Sequence, residues 1–442
     1  MKKYLAILWI LLSAAGYGWL LYGLQRTDTS LLLSLWGALF LLYALAFYYK
    51  AEQHFSLFLV AALVFRCVGL WSVPVLSDDV FRFIWDGRLL AQGHNPYMYL
   101  PSELVATDIA TQAGLTPELF QRLNSPAYYT VYPPLLQLWF WVSTLLTSSE
   151  SATIFWLRLP LVLGEFASLW LLFQLLQKMG KNKQEVRRGT LLYALNPLVI
   201  VELIPNVHYE GLMICFVLAC LYFYPNKNKI GSAFFLSLAV GVKLLPLIFL
   251  PTLIPKENKF KALIYSSLVG VLVLLPFLFF FDKFIIERFS TSLDLYFRTF
   301  EFNASLYYLL RKIGMWILGY NPIATLGPLL SLLSFSTILF LSFGQILPIN
   351  RYERLLLILT VYLFCATTVH PWYVVPLLAL CVLGRFRFPL VWSVLLPLTY
   401  TAYQTPVFVE KSWVLVLEYA LVWGWLAWEL WSNKTRRAAF EE

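Results

Sequence analysis

The sequence predicts an all-α, polytopic membrane protein, on three observations. Hydrophobic residues make up 60% of the 442 positions and charged residues only 13%, against about 45–50% and about 25% in soluble globular chains. Apolar runs of about 18 residues or more recur along the whole chain, each long enough to cross a hydrocarbon core. The excess of Lys and Arg, 33 against 24 acids, falls in short loops between those runs, as the positive-inside rule requires. The same composition excludes a soluble globular protein and a disordered one. It points to a lipid bilayer as partner and to no nucleic acid, because the basic residues form no patch on a soluble surface. Cys67, Cys215, Cys220, Cys365 and Cys381 all lie in apolar segments without a CxxC pair and read as small core residues. The opening apolar run after Lys2 and Lys3 is too long for a signal peptide and lacks a small-residue cleavage site, so it reads as a retained first span.

Each element follows from length and flanking charge. Spans at 4–25, 30–49 and 55–71 place Lys2, Lys3 and Lys50 inside and leave a long polar loop, about 72–132, outside; a loop of that size is uncommon unless it works. The apolar segment 133–147 is too short to cross, since about 15 residues rise only about 22 Å. It is therefore expected to lie at the outer interface, with 153–177 as the crossing span, which puts the basic stretch 178–188 inside. Spans at 189–204 and 209–224 form a hairpin whose turn, Pro205-Asn206-Val207-His208, faces out. Segment 230–254 has Lys227 and Lys229 before it and Lys256, Lys259 and Lys261 after it. Both ends belong inside, so two half-helices meeting near Gly241-Val242-Lys243 are expected. A span at 262–281, a second outer loop at about 282–303 and an amphipathic helix near 304–318 follow. Spans near 322–347, 354–369, 373–384, 388–405 and 413–431 then finish the chain, with Lys434, Arg436 and Arg437 inside. The expectation is one integral-membrane domain over 1–442, with about 12–14 transmembrane segments and juxtamembrane helices in the first outer loop.

The unusual polar residues gather on the outer side of this trace. Asp78 and Asp79 stand side by side, where carboxylates repel; one of them suits a general base at the membrane surface, and the pair equally suits helix capping before 80–92. Arg82 and Asp86 are spaced i and i+4 for an ion pair. Arg88 has no such partner and suits a phosphate. The stretch Gly93-His94-Asn95-Pro96-Tyr97 is a turn whose amide and ring also suit a sugar. Tyr132 precedes Pro133-Pro134, a helix start. Asn206, His208 and Glu210 crowd the hairpin tip, with Glu202 a turn or two earlier: a metal site or a solvated tip. Lys243 sits in mid-segment, where a charge is expensive and functional unless it snorkels to an interface. His370-Pro371-Trp372-Tyr373 pairs a titratable ring with two aromatics of the interfacial belt type. Together these residues suggest a site reading a lipid-linked, phosphate-bearing molecule.

The block Asp79-Val80-Phe81-Arg82, Trp85-Asp86-Gly87-Arg88, Gly93 and Asn95-Pro96-Tyr97 resembles the first-loop signature of integral-membrane GT-C glycosyltransferases. It is most similar to the mannosyltransferase branch that includes bacterial polyprenyl-phosphate-mannose enzymes and the eukaryotic GPI mannosyltransferase I catalytic subunit. Tyr132-Pro133-Pro134, Asn196-Pro197-Leu198, Asn206, His208, the Lys243-Leu244-x-Pro246 stretch and His370-Pro371-Trp372-Tyr373 recur there in the same order.

The resemblance implies inverting transfer of a hexose, mannose first, from a polyprenyl-phosphate sugar to a glycolipid or glycan acceptor. The site would lie on the periplasmic side of a bacterial inner membrane. Asp79 matches the base, with Asp78 beside it. Lys243, Arg88 and His370 match the donor phosphate. Arg82, Asp86, Asn95, Tyr97, Tyr132, Asn206, His208, Glu210, Trp372 and Tyr373 are the expected substrate contacts. Ser77 stands where relatives of the GPI enzyme carry the first acid of an Asp-x-Asp, so a divalent cation (Mg or Mn) is left open. No GxGxxG or P-loop is present, which fits a lipid-phosphate donor. The rival readings are a transporter or flippase of a lipid-linked saccharide, which would want a midplane site between repeats, and a glycan polymerase or ligase.

Overall fold

A computed structural model describes residues 3–226, 228–344, 348–405 and 407–441. Lys2, Lys227 and the end of the expected span 322–347 lie outside the described residues, as do the side chains of Lys434, Arg436 and Arg437. Among the described residues there are helices and no strand; the single bridge joins Phe302 to Thr368. The chain is an all-α, polytopic membrane protein. Among the described residues seven helices are long and apolar enough to cross a membrane, and four further apolar helices are shorter. The remaining expected spans fall on these shorter or broken helices.

Helices α1 (Lys3–Tyr22), α2 (Thr29–Tyr48) and α3 (Phe55–Val68) open the chain and pack together. The long loop that follows is not irregular. It begins with α4 (Asp79–Ala91), which lies against α5 (Pro134–Leu145). Pro134 occupies the first turn of α5, where its missing N–H is no loss. The 12 residues of α5 rise about 18 Å, too little to cross. Gly87 permits the α4–α5 contact, because a Cβ there would run into the Phe140 carbonyl.

Helix α6 (Glu150–Lys178) is a full crossing of 29 residues, with its acid in the first turn and its lysine in the last, matching the helix dipole. A capping box of Asn182 and Glu185 starts α7 (Lys183–Ala194). The expected span 189–204 is broken at Asn196, whose side chain accepts from Leu198 N and starts α8 (Pro197–Glu202). Helix α9 (Glu210–Phe223) then packs on α10 (Lys229–Val242).

Helix α10 stops where the two half-helices were expected to meet. Lys243 is extended, at φ −145° and ψ 141°, and Pro246 three residues on removes a donor from any continuing helix. Only 3₁₀ and short α turns follow, Leu245–Phe249 and Leu250–Leu253. Next come α11 (Lys259–Leu274), α12 (Ile285–Arg298), α13 (Leu306–Leu318) and α14 (Ile323–Phe343). The stretch 282–303, expected as a loop, is therefore mostly helix. Its polar residues alternate with an apolar stripe that packs α12 on α14. A second capping box, Asn350 with Glu353, opens α15 (Arg351–Cys365). Helices α16 (Val375–Cys381), α17 (Phe388–Leu395) and α18 (Ser412–Glu441) complete the chain. Asn303, in the formal glycosylation triplet Asn303-Ala304-Ser305, is fully buried and donates to Glu418 at 2.9 Å, so it is closed to modification in the folded chain.

Two buried charges, one on α3 and one on α6, find each other. Arg66 on α3 donates to Glu165 on α6 at 3.0 Å and to the Ala62 and Ala194 carbonyls at 3.1 and 2.6 Å. Tyr193 donates to the other Glu165 oxygen at 2.8 Å. Both charged side chains are buried, so each depends on the other for compensation. Arg66→Leu is expected to destabilise the fold by about 3–5 kcal/mol, because it leaves a buried carboxylate without its cation. Arg66→Leu combined with Glu165→Leu is expected to recover part of the loss; detergent thermal unfolding reads both.

Candidate active site

The junction of α3 and α4 delivers two adjacent carboxylates, and the fold gives them different partners. Asp78 is the N-cap residue of α4, but its side chain makes no capping bond. It accepts instead from Arg26 at 2.9 Å, whose guanidinium lies 4.4 Å from the centre of the Tyr403 ring. Asp79 Oδ1 accepts from the Asn124 amide at 2.6 Å, and Asp79 lines a cavity of about 400 Å³. The spacing also allowed side-chain capping by Asp78, and the structure sets it aside.

The cavity has a polar end and an apolar arm. At the polar end Asp79 is joined by Tyr132, Glu210, Lys243, Trp372 and Tyr373. The end of α10 brings in Lys243, which forms an ion pair with Glu210, the first residue of α9. The ammonium also sits 4.8 Å from the centre of the Tyr373 ring. Glu210 is buried, and its Oε2 has no hydrogen-bond partner among the described residues. The arm is walled on one side by Leu244, Leu245 and Ile248, just past the helix break. Gly327, Ser331, Ser334, Phe335 and Ile338 wall the other side, on one face of α14 at helical spacing. From 327 to 338 that face runs about 16 Å at 1.5 Å per residue.

The turn before α9 is held firmly. Asn206 Oδ1 accepts from Leu76 N at 3.1 Å and its amide donates to the Val201 carbonyl at 2.9 Å. Arg158, buried in α6, donates to the Ile204 carbonyl at 3.0 Å and to the Pro205 carbonyl. Val207 takes φ 58°, a left-handed conformation that a β-branched residue adopts only under such constraint. Beyond the turn stands a stack of four rings. Phe302 lies 4.8 Å from His370, His370 4.4 Å from Trp372, and Trp372 3.8 Å from His208. Both faces of Trp372 are therefore covered, and it presents an edge to the cavity.

Several expected contacts lie elsewhere. Arg82 and Asp86 form the expected ion pair at 2.8 Å, but both are buried. Arg82 also donates to the Ser125 and Tyr128 carbonyls at 3.3 and 2.9 Å, and Gln137 donates to Asp86 at 2.9 Å. The bonds they make go to each other, to the Ser125 and Tyr128 carbonyls and to α5, and neither side chain lines the cavity, so the structure gives them a scaffold position in place of the expected substrate contact. Arg88 donates to the Gly114 carbonyl at 2.8 Å and does not line the cavity. Asn95 bonds to Tyr97 N and the Phe280 carbonyl. Tyr97 is fully buried, packs on Phe280, and donates to the Tyr132 carbonyl at 2.6 Å, supporting the wall rather than forming it. Asn206 is likewise structural. His208 and His370 stand behind the wall on either face of Trp372.

Burial pushes the His208 imidazole down to about 4, against the pull of Glu210 and Asp79. Burial, then His208 and Lys243, pushes His370 down to about 3. Both rings are neutral near pH 7, so His370 brings no cation to a phosphate. Among the described residues no three His, Cys, Asp or Glu side chains group as metal ligands. Glu202 lies 3.4 Å from His208, but Glu210 pairs with Lys243. Arg26, Asn124, Gln137 and Arg158 are the residues that sequence reasoning missed; their partners lie 45 to 52 positions away, where spacing carries no signal.

The depressed histidines set a pH window for stability. Because the folded value of His208 lies below its ordinary 6.5, protons favour the unfolded chain; stability is full above about pH 6.5 and falls as pH drops toward 4. His208 alone is expected to lower stability by about 2 kcal/mol at pH 5 relative to neutral pH. Thermal unfolding at pH 7 and 5 checks this, with His208→Gln expected to shrink the difference.

Comparison with known proteins completes the description of the site. The family model described as "Alpha-(1->6)-mannopyranosyltransferase, N-terminal domain" matches residues 9–256, a stretch that includes Asp79, Tyr132, Glu210 and Lys243. The chain is 25% identical over 162 residues to alpha-(1->6)-mannopyranosyltransferase B of Corynebacterium glutamicum, covering 35% of this chain and 26% of that one. It is 25% identical over 188 residues to alpha-(1->6)-mannopyranosyltransferase A of Mycobacterium tuberculosis, covering 42% of this chain and 34% of that one. The A protein of Corynebacterium glutamicum is 22% identical over 184 residues, 41% of this chain and 35% of that one. The matches thus span about a quarter to a third of the length of these relatives. No solved structure matches the chain. With more than half of its length matched by that model, the chain belongs to the alpha-(1->6)-mannopyranosyltransferase family.

Proposed function

We propose that this protein is an inverting mannosyltransferase that moves a mannosyl group from a polyprenyl-phosphate sugar to a hydroxyl of a glycolipid or glycan acceptor. The observation that carries the reading is that one cavity holds a carboxylate with an open oxygen, a lysine, and a mostly apolar arm. Those are the three things needed to take a proton, neutralise a phosphate and seat a prenyl chain. The family match supports mannose and an α(1→6) linkage. Since inversion turns one anomer into the other, an α product calls for a β-linked sugar phosphate.

In this reading Asp79 Oδ2 accepts the proton of the acceptor hydroxyl. The hydroxyl oxygen bonds to the anomeric carbon as the bond from that carbon to the phosphate oxygen breaks. The electron pair leaves with the phosphate, which gains one negative charge, and the Lys243 ammonium stabilises it as the charge develops. Glu210 holds Lys243 in place until the donor arrives. Polyprenyl phosphate and the glycosylated acceptor depart, and Asp79 returns its proton to water. Asp78 is a weaker candidate for the base because Arg26 already occupies it. Leu244, Leu245 and Ile248 with the facing side of α14 take the first isoprene units.

We place the cavity on the outer, periplasmic side of a bacterial inner membrane, within one domain spanning 1–442. Support comes from the Lys- and Arg-rich stretches 178–188 and 256–261, which the positive-inside rule keeps on the opposite side.

Purified protein given labelled polyprenyl-phosphate mannose and a membrane lipid extract tests the reading. Wild type is expected to release polyprenyl phosphate and label a product. Asp79→Asn is expected to lower turnover by about 10³-fold, Lys243→Ala by about 10²-fold, and Asp78→Asn by less than either. Intact donor that instead crosses the bilayer of proteoliposomes would replace transfer with transport.

A further inference from the structure

Asn124 is an exposed residue in a loop, yet the loop around it is tied down on both sides. Two residues before it, Arg122 forms an ion pair with Glu150 at the start of α6, and its guanidinium lies 4.2 Å from the Phe81 ring centre on α4. One residue after it, the Ser125 carbonyl accepts from Arg82 on α4 at 3.3 Å, and the Tyr128 carbonyl accepts from the same guanidinium. Arg82 is locked in turn by Asp86, which Gln137 of α5 also holds. The backbone flanking Asn124 is thus bracketed to the helix that carries Asp79. This gives the buried Arg82–Asp86 pair a purpose that a surface pair of the same spacing would not have.

We infer that Asn124 is a positioning residue for Asp79. Its amide holds Oδ1 at 2.6 Å and leaves Oδ2, which has no hydrogen-bond or ion-pair partner among the described residues, facing the acceptor hydroxyl. The inference rests on the reading of Asp79 as base. The bond from the bracketed Asn124 amide fixes the rotamer of Asp79. Arg26 performs the complementary task, drawing Asp78 away from the cavity, so that two adjacent acids are sorted into one anchored and one working. The proton taken from the acceptor hydroxyl passes to Oδ2 as the oxygen–carbon bond forms and the carbon–phosphate-oxygen bond breaks, and Asn124 keeps its own protons throughout.

The test measures kcat and KM for polyprenyl-phosphate mannose for wild type, Asn124→Ala, Asn124→Gln and Asn124→Asp, with Asp79→Asn in parallel. Asn124→Ala is expected to lower kcat about ten-fold with KM within about two-fold. Asn124→Asp, which replaces a donor by a second negative charge, is expected to lower kcat further. Asn124→Gln keeps the amide and is expected to recover part of kcat. If Asn124→Ala and Asn124→Asp both keep the wild-type kcat while Asp79→Asn is inactive, the positioning role falls and the base stands. If Asp79→Asn is active, the base reading falls and the role of Asn124 falls with it.

Discussion

An ammonium group set partway along an apolar segment must meet a counter-charge, and the pairing of Lys243 with Glu210 is the contact around which the rest of the site is arranged. Helix α10 ends at Val242, and the extended backbone of Lys243 just past it delivers the ammonium to Glu210. The pairing also requires α9 to start at Glu210, and so a turn before it tight enough to put Val207 at φ 58°. That turn is held by the side chain of Asn206 and by the buried guanidinium of Arg158 in α6. The break that frees Lys243 exposes Leu244, Leu245 and Ile248 to the cavity, so the polar end and the apolar arm share one cause.

The other wall has a similar logic. Helix α4 must bring Asp79 to the same cavity, and it can approach α5 closely only because residue 87 is glycine. Tyr97, through the Tyr132 carbonyl, and Arg82, through the loop at 125–130, tie the long segment after α4 back onto it. A segment of some sixty residues is thereby fastened to the helix that carries Asp79. The ring stack from Phe302 to His208 stiffens the opposite side, and covering both faces of Trp372 makes it a fixed edge rather than a stacking platform.

Much of the fold was legible in the sequence because bilayer thickness and charge leave few choices. The short helix α5 was readable from the shortness of the apolar run beginning at Pro133-Pro134, and the half-helix break from lysines at both ends of 230–254 with Lys243 between them. Helix α12 was read as loop because its polar residues masked a stripe that only α14 makes meaningful. Within the site, Asp79, Tyr132, Glu210, Lys243, Trp372 and Tyr373 were legible and line one cavity. Arg88, Asn95 and Tyr97 carry suitable chemistry but spend it on backbone carbonyls and amides, which no spacing reveals. Asn124 and Arg26 were invisible for the converse reason: nothing near them in sequence marks them, and their meaning comes from side chains 45 and 52 positions on or back.

The central claim is that one lipid-linked sugar phosphate occupies this cavity, head group at Lys243 and chain along α14. Photo-crosslinking with a polyprenyl-phosphate analogue bearing a diazirine on its first isoprene units, followed by peptide mapping, addresses it most directly. The account predicts labelling within 244–248 and on the Ser331–Ser334–Phe335–Ile338 face, competed by unlabelled polyprenyl-phosphate mannose and weakened by Lys243→Ala. Labelling confined to the outward faces of α1, α11 or α18, or labelling that the unlabelled donor does not reduce, would contradict it.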